Sequence, residues 1–116
     1  MLRDTPLVIT RQEGKQSGTR IIKLAGPITL PNLFDLQAEL RGDEPPAVVI
    51  LDMSKVPYMD SSGIGAIINH FVHCCNHSSK LLVAGVDARP LELFKLTGVH
   101  TVIPMFATVE EAEANL

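Results

Sequence analysis

The run Ala47-Val48-Val49-Ile50-Leu51 has no polar alternation, so it reads as a strand covered on both faces, the central strand of a sheet sandwiched by helices. Pro45-Pro46 punctuates its entry. The same run is far short of the roughly 20 apolar residues that a membrane-spanning helix needs. A central strand of this kind calls for helical crossovers, and the remainder of the chain supplies them.

Upstream, Leu7 to Thr10 and Arg20 to Ala25 are short strand candidates joined by the polar, glycine-containing stretch Arg11 to Gly18, which suits an antiparallel hairpin. After Gly26-Pro27 a helix is expected from near Pro31 to Leu40, with Leu33, Leu36 and Leu40 at i, i+3 and i+7 and Gly42 closing it. A second helix follows Asp60-Ser61-Ser62-Gly63, with Ile64, Ile67, Ile68, Phe71, Val72 and Cys75 on one face. Lys80 to Ala84 is the next strand. Asp87 and Pro90 open a third helix through Leu91, Phe94 and Leu96, stopped by Gly98. Val99 to Met105 holds one more strand, ended by Pro104, and Thr108 with Glu111 forms a capping-box pattern before a last helix carrying Val109, Ala112 and Leu116. The expected class is α/β, in the order β-β-α-β-α-β-α-β-α, with about four helices and a mixed sheet whose first strand is antiparallel and whose later strands are parallel. No internal repeat or linker divides the 116 residues, which read as one domain over 1–116.

A formal charge of -3, with Lys and Arg scattered singly, offers no basic stripe to a phosphate backbone, and Tyr58 is the one tyrosine in a chain without Trp. Direct nucleic-acid binding is not expected. Met1 to Pro6 lacks the apolar segment and cleavage site of a secretory signal, so a cytoplasmic location away from any membrane is expected. Cys74 and Cys75 are neighbours on a helix and point about 100° apart there, a poor disulfide pair and a poor redox or metal motif.

The chemistry concentrates at Asp60-Ser61-Ser62-Gly63-Ile64-Gly65, where a carboxylate and two hydroxyls meet a helix N-terminus, a place that favours phosphate. Either Asp60 or Ser61 serves as N-cap. With Ser61 as cap, Ser62 becomes the first helical residue with its hydroxyl free, which ranks Ser62 above Ser61 as a site of modification. A phosphate there moves the formal charge from -3 to about -5. Gly63 and Gly65 each weaken the helix by about 1 kcal/mol relative to Ala, which makes sense if another backbone comes close, whether a partner's or a neighbouring loop of the same chain.

Catalysis finds little support. Gly63-Ile64-Gly65 lacks the lysine of a nucleotide loop, and neither serine stands in a Gly-x-Ser-x-Gly elbow. His70 lies eight residues along the helix from Ser62, roughly 12 Å away at the helical rise, too far to act as its base; His100 has no stated approach. His70, His73 and His77 fall within about 60° of one another on the second helix, away from its apolar stripe, and read as a solvated face rather than a metal site. No enzyme activity, cofactor or metal is expected.

The run Val48 to Gly65, with Leu82-Val83-Ala84-Gly85-Val86, Leu93 to Val99 and the closing Val109-Glu110-Glu111-Ala112, resembles STAS domains, in particular the single-domain bacterial anti-sigma factor antagonists. The resemblance implies a STAS-like mixed sheet and a binding module. It also implies that Ser62 is a phosphoacceptor, with Asp60, Ser61, Ser62, Gly63, Ile64, Gly65 and Thr29 in the partner-binding region. Its implied partners are an anti-sigma factor that is also a serine kinase, released when Ser62 is phosphorylated, and a serine phosphatase that resets the switch. Thr29 stands where many antagonists have an acidic residue. The alternative is an unphosphorylated STAS scaffold or subunit of a signalling, transporter or lipid-trafficking complex.

Overall fold

The computed structural model describes residues 6–41 and 44–116. Strands β1 (Val8–Glu13) and β2 (Thr19–Ala25) form the expected hairpin, antiparallel from Val8 opposite Ala25 to Glu13 opposite Arg20. Strands β3 (Val48–Lys55), β4 (Lys80–Ala84) and β5 (Met105–Phe106) then add in parallel, giving a five-stranded sheet in the order β1-β2-β3-β4-β5. The sheet is the mixed one anticipated.

β3 lies at its centre, and alternate residues feed two cores. Val49, Leu51 and Met53 pack with helices α1 (Leu30–Arg41), α2 (Ser61–Asn76) and α3 (Ala88–Thr97), through Leu36, Leu40, Ile64, Ile67 and Phe94. Ile50 joins Ile21, Leu82, Ala84 and Ala112 in a smaller cluster under α4 (Val109–Ala114) on the opposite face. The uniform apolar run follows from this, because a side chain of either parity meets a covered face.

Three details differ from expectation. The inward face of α2 is rotated toward α1: Ala66, His70 and Cys74 are buried beside Ile64 and Ile67, while Ile68, Val72 and Cys75 are exposed. Val99 to Met105 is not a strand. After Gly98 ends α3 in the left-handed region, with φ 76°, a single 3₁₀ turn covers Val99–Thr101. The Ile103 N–H donates to the Val99 carbonyl at 3.0 Å, so both side chains enter the core from one side. Pairing waits for Met105. In α4 the expected cap holds, with Thr108 accepting the Glu111 N–H at 3.0 Å, but Glu113 is buried and Leu116 lies outside the helix, exposed. α1 starts at Leu30, beside the expected Pro31; its closing residue Gly42 lies outside the described residues.

Candidate modification and partner-docking site

The site is assembled by two loops that run side by side. Gly26, at φ 124°, turns the chain out of β2, and its N–H donates to Lys55 at the end of β3 at 3.0 Å. Ile28 then bridges Met59 in parallel: the Ile28 N–H donates to the Tyr58 carbonyl and the Asp60 N–H to the Ile28 carbonyl, both at 3.1 Å. The starts of α1 and α2 are thereby delivered to one place.

Asp60 is the N-cap of α2. Its Oδ1 accepts the Ser62 N–H at 3.0 Å and also the Ser62 hydroxyl, while its Oδ2 accepts the N–H of Leu30, the first residue of α1, at 3.2 Å. One carboxylate serves two helices. Burial pushes the Asp60 carboxyl up, but the hydrogen bonds from Ser62, Leu30 and Gly63 outweigh it and hold the group below the ordinary carboxylate range.

The capping scheme with a free Ser62 hydroxyl is therefore corrected. Asp60, with two acceptor oxygens, takes the cap, and Ser62 becomes the second helical residue, half-buried, with its hydroxyl donated to that cap. Ser61 is exposed. Thr29 immediately precedes α1 and contributes its carbonyl, which accepts the Asn32 N–H at 2.9 Å; the buried Asn32 amide ties back to the Pro27 carbonyl, also at 2.9 Å. Gly63 is buried and Ile64 faces the core. Gly65 is exposed, and a Cβ placed on it would meet nothing within 4 Å.

Exposed apolar side chains lie on the segments that build the site. Leu30 and Phe34, at i and i+4 on α1, are 58% and 72% exposed, and Tyr58 is partly exposed with the Arg89 guanidinium 5.8 Å from its ring centroid. Phe34 falls outside the Leu33, Leu36 and Leu40 stripe, and that misfit was the signal available in the sequence.

The histidines do not form a solvated row. His70 is only 5% exposed in the seam between α1 and α2, with Nε2 3.7 Å from Cys74 Sγ. Burial, then the nearby His73 and Arg11, depress its pKa to about 4. The rings of His70 and His73 stack at 6.1 Å, and those of His73 and His77 approach to 4.4 Å. Among the described residues no group of three or more His, Cys, Asp or Glu is placed to hold a metal ion. Cys74 and Cys75 are both free thiols, and burial pushes the Cys74 thiol up. His100 lies on the 3₁₀ turn with Nδ1 3.4 Å from the Phe94 carbonyl. Among the described residues no helix is long and apolar enough to cross a membrane.

Known proteins align with this arrangement. An anti-sigma-B factor antagonist of Listeria monocytogenes is 31% identical over 68 residues, which span 59% of this chain and 60% of that protein. The crystal structure of a sulfate transporter family protein from Wolinella succinogenes superposes with a TM-score of 0.78 at 25% identity, covering 89% of this chain and 88% of its own. That of an anti-sigma factor antagonist from Mycobacterium paratuberculosis shares the fold at a TM-score of 0.74 and 19% identity, over 93% of each chain. The STAS domain model matches residues 12–112, and with its sheet order and helix placement the chain belongs to the STAS domain family.

Proposed function

We propose that this protein is an anti-sigma factor antagonist, a non-catalytic binding module whose partner is an anti-sigma factor with serine kinase activity. Unmodified, it binds that partner and frees the sigma factor. Phosphorylated on Ser62, it lets go, and a serine phosphatase restores it. A cytoplasmic location follows from such partners.

The observation that carries this reading is the Ser62 hydroxyl held by Asp60 at the start of α2, next to the exposed Leu30 whose N–H the same carboxylate accepts. The local dipole favours a phosphate there by roughly 0.3–1 kcal/mol, so modification leaves the fold in place and acts on what docks. Gly65 supports the same reading: a Cβ there meets nothing among the described residues, and its helix penalty of about 1 kcal/mol is rational if a partner's backbone comes close.

The test is affinity capture from native cells with wild-type and Ser62→Asp bait, then incubation of the captured kinase with ATP and the wild-type chain. Phosphate should map to Ser62, be absent from Ser62→Ala, and the Ser62→Asp bait should bind at least about tenfold more weakly, a difference of about 1.4 kcal/mol. A second reading, a constitutive subunit with Ser62 unmodified, draws on the likeness to the Wolinella sulfate transporter family protein. Under it, Ser62→Asp and wild type capture the same partner equally.

A further inference from the structure

We infer that Asp60 is a positioning residue that carries the phosphorylation state of Ser62 from α2 to the first turn of α1, so that the modification is felt at Leu30 and Phe34 as well as at the serine. This rests on the reading of Ser62 as phosphoacceptor and adds how the mark is transmitted.

Phosphoryl transfer forms an Oγ–P bond on Ser62, breaks the bond between the γ-phosphorus and the departing ADP, and removes the hydroxyl proton to the kinase's base. That proton is the one donated to Asp60 Oδ1. The product sets about two negative charges against a carboxylate oxygen that has just lost the hydroxyl and keeps only the Ser62 N–H. Both carboxylate oxygens lie in one plane, so a rotation that takes Oδ1 away from the phosphate takes Oδ2 off the Leu30 N–H, now 3.2 Å away.

Among the described residues no other side chain accepts the Leu30 N–H. Thr29 occupies the position before α1 and its carbonyl accepts the Asn32 N–H; a side chain at that position caps the second or third amide of a helix, not the first, which is that of Leu30. The backbone bridge between Ile28 and Met59 does not involve the carboxylate, so the disturbance is confined to the turn bearing Leu30 and, one turn on, Phe34.

The experiment uses the full chain with phosphoserine encoded genetically at position 62, which needs no kinase, and reads amide hydrogen exchange at Leu30, with the Leu51 amide of the central strand as a control for global stability. Phosphoserine should accelerate Leu30 exchange at least about tenfold, the scale expected when a cap is lost. In Asp60→Asn the exchange should already be fast, with no further response to phosphoserine. Unchanged Leu30 exchange in the phosphorylated wild type, or an equal acceleration in Asp60→Asn, overturns the relay. Separate titration of the captured anti-sigma factor tests the other reading: undiminished binding of the phosphoserine protein refutes the switch, whereas lost binding with unchanged Leu30 exchange refutes only the relay.

Discussion

A Cβ on Gly63 would lie 2.8 Å from Ile28 Cγ2 and 3.3 Å from Met59 Sδ, so α2 approaches the Ile28 segment between β2 and α1 more closely than a side chain at that position allows. Gly63→Ala should destabilise the fold by about 1–3 kcal/mol, the usual range for overpacking, read as a lower urea midpoint. Gly65→Ala should do the reverse. Its Cβ enters open space, so stability rises by up to about 1 kcal/mol; under the proposed function, calorimetric titration should also show weaker binding to an anti-sigma factor.

His70 makes stability depend on pH. The imidazole titrates near 6.5 when unfolded and at about 4 in the fold, so between those values the unfolded chain holds the extra proton. Its contribution is fully present above pH 6.5 and is lost as the pH falls toward 4. The urea midpoint should drop between pH 6.5 and 4.5, and His70→Leu should flatten much of that decline.

Glu113 reaches from α4 to the β1–β2 turn, where Oε2 accepts the Lys15 N–H at 2.6 Å. Gly14 leaves room for it, since a Cβ there would come within 2.8 Å of the same oxygen. Glu113→Ala should cost about 1–3 kcal/mol and accelerate hydrogen exchange at the Lys15 amide. Gly14→Ala should displace the same contact and lower the melting temperature.

The Thr108 cap is a local device, and its loss should have a local price. Thr108→Ala removes the acceptor of the Glu111 N–H and should cost about 1 kcal/mol, with the extra exchange confined to α4.

What the chain declares openly is what rests on local pattern. The uniform run at β3, the turn residues of the hairpin, Gly98 and the Thr108–Glu111 pair each act within a few residues, and each is found where expected. The misreadings involve partners distant in sequence. Ile68 and Val72 look as apolar as Ile64 and Ile67, yet α1 packs nearer Ala66 and His70 and leaves the former pair outside. Val99 and Ile103 suit a strand by composition, but the 3₁₀ turn after Gly98 sends both into the core. At the site, Asp60 was legible as one of two candidate caps. Its second bond, to Leu30, was not, because nothing in the local pattern says which backbone lies alongside.

The bond between Leu30 and Asp60 joins residues 30 apart in the chain, and the bridge beneath it requires β2 and β3 to have found their register first. A nascent or misfolded chain carries the same serine without these surroundings. Under the proposed switch, an enzyme that reads the surroundings rather than the letters around Ser62 would mark only molecules in which β2 and β3 have already paired.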